Sequence, residues 1–164
     1  MDTNIIQEAK TRIAILGGGP GGLFMYKRLI ETGRTDIAID IFEKNEQLGP
    51  GMPYSTDGAC EEHITNVSAN EIPAMVTPLG EWIKTVSPAL LARFHIQPEH
   101  FNEFKVIPRL LFGMYLAAQF DLLIKKAREK GVLNAIHFSS PVTDIIDHRN
   151  SVQVEVAAAR LFTF

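Results

Sequence analysis

The stretch Arg12-Ile13-Ala14-Ile15-Leu16-Gly17-Gly18-Gly19-Pro20-Gly21-Gly22-Leu23 joins a short apolar run to a glycine-rich turn. We expect a strand before the turn and a helix after it, because the apolar run favours a strand and later apolar residues keep helical spacing. A second apolar run, Ile39-Asp40-Ile41-Phe42, is followed directly by Glu43. This order of strand, glycine-rich turn, helix, strand and carboxylate is the fingerprint of a dinucleotide-binding βαβ unit.

The glycine-rich turn contains positions with separate physical roles. Gly17 allows the tight turn out of the strand, Gly19 lets the backbone approach a pyrophosphate, and Gly22 lets the helix pack near the sheet. We predict that the whole turn, Gly17-Gly18-Gly19-Pro20-Gly21-Gly22, binds the cofactor, since amides and the dipole at a helix start favour phosphate charge. Glu43 would accept hydrogen bonds from a ribose.

The residues at the end of the second strand also bear on which cofactor is bound. Glu43 favours a free ribose 2′-hydroxyl, as in FAD or NAD, over a 2′-phosphate. Lys44 follows immediately and keeps NADP open, so we include it among the cofactor-binding candidates. The alternative is a glycine-rich turn that only connects two elements, but here the strand, helix and carboxylate that the motif needs are all present.

Length and composition indicate one globular domain. The chain has 164 residues, a net charge of −3, 46% hydrophobic residues and 21% charged residues, so the charge gives no reason to expect nucleic acid. No apolar run approaches the ~20 residues needed to span a membrane, and the polar start does not resemble a secretion signal. We therefore expect no membrane partner.

The single cysteine excludes an internal disulfide and the CxxC pair of disulfide-reducing flavoenzymes. Cys60 as the only thiol fits a cytoplasmic location. It stands beside Glu61, Glu62 and His63, but neither this spacing nor the ligand count matches a known metal site. We therefore expect no metal.

The periodicity predicts an α/β domain that spans residues 1–164 with an irregular insertion at about residues 48–107. Six prolines divide this insertion into short pieces, and such a long irregular segment is usually functional. Ser87-Pro88 indicates a helix start. Trp82 lies in another short helix, where we expect a core residue, with stacking on a flavin as the alternative. The other predicted elements are strands at 12–16, 37–42 and 135–138, helices at 21–32 and from Pro108 to a cap at Gly131, and an antiparallel pair at 142–146 and 151–156.

Further motifs follow the glycine-rich turn in a fixed order. They are Gly49-Pro50-Gly51-Met52-Pro53-Tyr54-Ser55, Asn66-Val67-Ser68, Trp82 and Pro108-Arg109-Leu110-Leu111-Phe112-Gly113-Met114-Tyr115-Leu116. This order resembles the N-terminal part of the bacterial FAD/NAD(P)-binding protein family of flavin oxidoreductases, over nearly the whole chain. The resemblance implies a Rossmann-like fold with a three-stranded parallel core in the order 3-2-1 and a small antiparallel element. It also implies FAD at the glycine-rich turn and a nicotinamide dinucleotide bound by a later portion.

The resemblance implies roles for four more residues. Tyr54 and Asn66 would lie near the flavin, Arg109 would meet a phosphate or a flavin carbonyl, and the backbone of Val142 would meet adenine. Loop packing is the alternative for Tyr54 and Asn66, and an ion pair with a carboxylate is the alternative for Arg109. The five histidines form no pattern that marks a catalytic base, so the catalytic residue is unknown.

The end of the chain departs from the resemblance. Flavoproteins of this kind continue past the antiparallel strands into another parallel strand, which residues 157–164 do not resemble, and no second glycine motif occurs. We therefore expect the FAD-binding domain of an FAD/NAD(P)-dependent oxidoreductase that lacks its second nucleotide-binding portion. One alternative is a non-catalytic nucleotide-binding or interaction module. Another alternative is an NAD-dependent dehydrogenase. It is the weaker one, because the motifs between residues 49 and 116 resemble the flavoprotein pattern instead.

The missing parallel strand has a consequence for the first strand. In the usual topology this strand would have a neighbour on each side, so its absence leaves an open edge. We expect that edge to be covered by a second copy of the chain, by a partner chain, or by the folded-back tail, Ala157–Phe164. The sequence does not identify the substrate or the electron acceptor.

Overall fold

A computed structural model describes residues 11–164, apart from the side chain of Ala158. The chain divides into two compact units. The first consists of the residues up to Leu48 together with Leu123–Phe164, and the second is Gly49–Leu122. The expectation of one domain over residues 1–164 stays a prediction.

The first unit contains a three-stranded parallel sheet. Its strands are β1 (Thr11–Leu16), β2 (Ile37–Phe42) and β3 (Leu133–His137), and β2 lies between the other two. This confirms the predicted order 3-2-1 and the bounds of the second strand, while the third strand begins two residues earlier than predicted. Helix α1 (Pro20–Glu31) connects β1 to β2 as expected.

Burial explains why the middle strand reads as an almost continuous apolar run. Ile37, Ile39 and Ile41 are each at most 1% exposed. Such burial is usual for a parallel strand that is covered on both faces. Helix α1 buries one stripe, formed by Leu23, Tyr26 and Ile30, at the spacing expected for an amphipathic helix.

A second sheet in the first unit is antiparallel and has three strands. These are β4 (Val142–His148), β5 (Ser151–Val156) and β6 (Arg160–Thr163), with β5 in the middle. The predicted pair is confirmed, but β6 was missed, since the tail had no predicted structure. The tail forms a strand because residues 160–163 pair with residues 153–156 across a short turn.

The course of the tail corrects one of the three expectations for the edge of β1. The tail pairs with β5 and not with β1, whose strand pairing among the described residues is with β2 alone. Arg12 of β1 contacts the tail: its guanidinium donates to the Thr163 carbonyl at 2.7 Å and lies 4.7 Å from the centre of the Phe164 ring. The backbone edge of β1 therefore stays open within the described part of the chain.

The second unit is built from short helices and irregular segments. Helices α2 (Leu79–Ile83) and α3 (Pro88–Arg93) lie where the sequence predicted them, and the Ser87 side chain accepts from the Leu90 amide at 3.3 Å as the expected cap. Helix α4 (Arg109–Glu129) begins in the second unit, and its last residues belong to the first. Single 3-10 turns occur at Met52–Tyr54, Ala69–Glu71 and Pro98–His100.

Side chains of α4 fix an irregular segment of this unit. The Tyr115 hydroxyl donates to the Thr77 carbonyl at 2.8 Å, and the Gln119 side chain accepts from the Thr77 amide at 2.7 Å. Side chains of α4 thus bond both the N–H and the C=O group of Thr77. Burial raises the pKa of Tyr115 to about 12, because the charged phenolate is disfavoured away from water. Trp82 is half-buried and packs edge-on against Tyr115 at 5.4 Å, which agrees with a packing role.

Candidate functional site

The turn after β1 requires glycine at two positions for backbone reasons. Gly17 has a φ of +99°, a conformation that residues with a side chain rarely adopt. A Cβ on Gly22 would lie 2.1 Å from the Gly17 carbonyl oxygen, so a side chain at residue 22 would collide with the main chain. The amide of Gly17 donates to the Phe42 carbonyl at 2.8 Å. The turn is therefore held tightly between the end of β2 and the start of α1.

Helix α1 begins without a capping side chain among the residues that the structure describes. Gly19 is the N-cap residue, Pro20 is the first helical residue, and the first turn contains no acidic residue. A Cβ on Gly21 would meet no atom of the described residues within 4 Å, so these residues leave the space beside the turn open. A twelve-residue helix that begins in this way presents amides and a positive dipole end to an anion.

The carboxylate predicted to bind a ribose lies against this turn. Glu43 is 5% exposed, and its two oxygens accept hydrogen bonds from the Gly18 amide at 2.7 Å and from the Asn45 amide at 2.9 Å. Its own amide donates to the His137 carbonyl at 2.9 Å, which ties the end of β2 to the end of β3. Each carboxylate oxygen has a second lone pair for a further donor. Lys44, beside it in the chain, is exposed.

Gly18 has a structural role that the sequence did not reveal. A Cβ at this position would lie 2.2 Å from the Leu48 side chain and 3.2 Å from the Glu43 carboxylate. The middle glycine of the turn is therefore packed against two side chains that lie more than twenty residues away in the chain. The sequence motif assigns separate roles only to Gly17, Gly19 and Gly22.

The last candidate in the first unit is Val142. It is the first residue of β4, is half-buried, and pairs with Val156. Its side chain packs against a small core that contains Phe42 and Val154. The predicted contact of its backbone with adenine stays a prediction.

A polar network on the sheet of the first unit was missed. Asp40 on β2 is 7% exposed, and its carboxylate lies 2.7 Å from the His137 Nε2 on β3 and 3.3 Å from the Arg12 guanidinium on β1. The His137 ring stacks on Phe42 with centroids 4.5 Å apart. The network connects all three parallel strands. An acidic residue inside an otherwise apolar strand was the available signal, but its partners could not be read from the sequence.

In the second unit, Tyr54 lies against helix α4. Its ring packs edge-on to Phe112 at 4.9 Å, and a Cβ on Gly113 would lie 2.0 Å from the Tyr54 carbonyl oxygen. The loop that contains Tyr54 is thus in direct main-chain contact with the helix. This agrees with the loop-packing alternative, and the role beside a flavin stays a prediction.

Arg109 and Asn66 lie on two paired segments of the second unit. The Arg109 side chain donates to the Ile64 carbonyl at 3.1 Å, and its amide donates to the His63 carbonyl at 2.7 Å. The main chain thus holds the guanidinium, and among the described residues no carboxylate pairs with it as the alternative expects. The Thr65 amide donates to the Ile107 carbonyl at 2.8 Å, which places the exposed Asn66 next to this pairing.

Two other expectations concern groups outside these candidates. Cys60 is exposed, and among residues 11–164 no three His, Cys, Asp or Glu side chains gather in a way that could hold a metal ion. In the same part of the chain, none of the helices has the length and apolar character needed to cross a membrane.

The family to which the chain belongs follows from its sequence. Residues 14–164 match the model of the FAD-NAD(P)-binding family. The chain belongs to this family. Membership confirms the resemblance to this family. It also agrees with FAD as the predicted cofactor, and the family description names NAD(P) as the other dinucleotide.

A relative and a solved structure that match this chain are both much longer than it is. The protein YdhS of Escherichia coli (strain K12), which is uncharacterised, is 32% identical over 134 residues, which cover 82% of this chain and 25% of YdhS. The solved structure of Tmm from Pelagibacter sp. strain HTCC7211 matches with a TM-score of 0.53 and 16% identity, over 93% of this chain and 34% of Tmm. The likeness to Tmm shows the fold alone. The chain thus spans about a quarter of its curated relative.

Proposed function

We propose that this chain is the FAD-binding portion of a longer flavin-dependent oxidoreductase, in which a further portion binds the nicotinamide dinucleotide. Family membership supports the dinucleotide, and the short coverage of YdhS supports a longer protein. A bound flavin would supply the redox chemistry, by accepting and donating hydride or electrons. We assign no catalytic side chain, and the substrate and electron acceptor stay open.

The contact between Glu43 and the glycine-rich turn carries this proposal. The turn leaves open space beside Gly21 and an uncapped helix start, which suit a pyrophosphate. The buried Glu43 carboxylate is bonded to the amide of Gly18 in the same turn. A pyrophosphate bound to the turn would therefore place the adjoining ribose within reach of this carboxylate. The proposed binding residues of the first unit are Gly17, Gly18, Gly19, Pro20, Gly21, Gly22 and Glu43, with Lys44 beside them.

The remaining candidates rest on the family resemblance. Tyr54, Asn66 and Arg109 are proposed to serve the flavin side of the cofactor, and Val142 the adenine. Arg109 is held by the Ile64 carbonyl through its Nε atom. The terminal guanidinium nitrogens are further donors that suit a phosphate or a carbonyl oxygen.

The test is the identity of the ligand that the purified protein carries. We expect a yellow protein with flavin absorbance, and FAD in the supernatant after denaturation. A colourless protein that binds ADP and does not oxidise NAD(P)H would favour the non-catalytic nucleotide-binding module instead. A protein that releases or binds only NAD would favour the dehydrogenase.

The open edge of β1 leads to a proposal about partners. An unpaired parallel strand edge is an association hazard, and the tail of the chain pairs with β5 instead. We expect a second copy or a partner chain to cover the edge, in a cytoplasmic setting. Light scattering together with hydrogen exchange at residues 12–16 tests this. A monomer whose β1 amides exchange freely would contradict it.

A further inference from the structure

Gly18 is a glycine for reasons of space alone. Its φ is not among the positive values found in the described residues, so its φ does not require glycine. Yet a single methyl group at this position would lie 2.2 Å from the Leu48 Cδ2 atom, which is far inside van der Waals contact. Leu48 is 5% exposed, so its side chain fills the space in front of Gly18 from within the core of the first unit.

The same point in space touches the proposed ribose-binding carboxylate. A Cβ on Gly18 would lie 3.2 Å from the Glu43 Oε2 atom, the oxygen that accepts the Gly18 amide hydrogen bond at 2.7 Å. The Gly18 amide orients the carboxylate, and Leu48 occupies the volume beside it. A methyl group at Gly18 must therefore displace the Leu48 side chain, and it also crowds the carboxylate.

We propose that Gly18 and Leu48 form a positioning pair that sets the orientation of Glu43 for a ribose. The inference rests on the proposed function, because it assumes that Glu43 accepts hydrogen bonds from the ribose. Neither residue of the pair needs to touch the ligand. The pair acts on one part of it, the ribose hydroxyls, and the pyrophosphate contacts of the turn are made by other amides.

The experiment compares ADP with 2′,3′-dideoxy-ADP, which keeps the base and the pyrophosphate and lacks both ribose hydroxyls. The parent protein should prefer ADP. Gly18→Ala should reduce that preference about tenfold, the equivalent of about 1.4 kcal/mol for one hydrogen bond to a charged group. The ratio of the two affinities is the readout, because a general loss of folding or binding would lower both affinities and leave their ratio unchanged.

The double variant Gly18→Ala/Leu48→Ala tests the partnership. Removing the Leu48 side chain makes room for the new methyl group, so Gly18→Ala should change the preference for ADP much less in the Leu48→Ala background than in the parent. If Gly18→Ala alone does not fold, recovery of folding in the double variant supports the contact between residue 18 and Leu48. The preference of the double variant for ADP, compared with that of Leu48→Ala alone, then still tests the inference. Gly80→Ala is the matched control, since a methyl group there would meet the Phe101 ring at an ordinary 3.6 Å.

The possible failures are distinguishable. A parent protein that binds neither FAD nor ADP would overturn the proposed function. A parent that binds ADP with the expected preference, and a folded Gly18→Ala variant that keeps it, would overturn the positioning pair alone. An equal effect of Gly18→Ala with and without Leu48 would show that Leu48 has no part in it.

Discussion

The two units of this protein both depend on main-chain contacts that only glycine permits, but those contacts span different distances along the chain. In the first unit, a side chain at Gly22 would collide with the carbonyl oxygen of Gly17, which belongs to the same glycine-rich turn. In the second unit, Gly49 lies against Ala117 and Gly113 against Tyr54, each pair separated by much of the unit. The local contact produces a motif that can be recognised in the sequence. The long-range contacts have no such signature, although they restrict the side chain just as severely.

The largest effect is expected at Gly49. Its φ is +107°, and a Cβ there would lie 2.5 Å from the Ala117 amide nitrogen and 2.6 Å from the Leu116 carbonyl carbon. Gly49→Ala combines an unfavourable backbone conformation with a main-chain collision, so we expect a loss of about 3 kcal/mol or more in the free energy of unfolding. Urea unfolding measures it, with Gly80→Ala as the control that should lose no stability. A Gly49→Ala variant as stable as the parent would contradict the long-range contact.

The next effect concerns the ligand. Gly19 has a φ of −73° and a ψ of −166°, which a residue with a side chain can adopt. The backbone conformation therefore does not exclude valine at this position, and the branched side chain of Gly19→Val would occupy the place of the pyrophosphate. We expect ADP or FAD affinity to fall by at least about 100-fold, or about 2.7 kcal/mol.

Isothermal titration measures the effect of Gly19→Val. Met25→Val is the control, because Met25 is 56% exposed on the same helix. Undiminished binding by Gly19→Val would show that the phosphate does not lie at this turn.

A smaller loss is expected at the carboxylate. Glu43→Ala should weaken FAD or NAD binding by about 1–3 kcal/mol, the range for a lost hydrogen bond to a charged group. It should affect the affinity for inorganic pyrophosphate much less, since the ribose is absent from that ligand. Equal losses for both ligands would show that Glu43 serves the fold, through its bonds to the Gly18 and Asn45 amides, rather than the ribose.

The smallest effect tests a local signal in the otherwise irregular second unit. The Ser87 side chain accepts from the Leu90 amide, so Ser87→Ala should cost about 1 kcal/mol of the free energy of unfolding. Ser87→Asp keeps an acceptor and should retain most of that stability. If both variants unfold like the parent, α3 is held by packing, and its cap contributes nothing measurable.

The sequence predicted those parts of the fold that have local causes. The second strand and the antiparallel pair lay where alternation and turn residues placed them, and α3 began at its serine cap. The third antiparallel strand was missed because residues 160–163 become a strand only by pairing with β5. The network of Asp40 with Arg12 and His137 was missed for the same reason, since its members come from three separate strands.

At the candidate site, features with local causes can be separated in the same way from features that depend on tertiary contacts. The sequence by itself determined the glycine-rich turn, the helix after it and the acidic residue at the end of β2, because each depends on backbone geometry within a few residues. Only the tertiary structure decided that the Glu43 carboxylate bonds to the Gly18 amide, and that Leu48 fills the space in front of that glycine. These contacts join residues that folding alone brings together. Their geometry depends on how the strands and loops pack, and no local pattern records that packing.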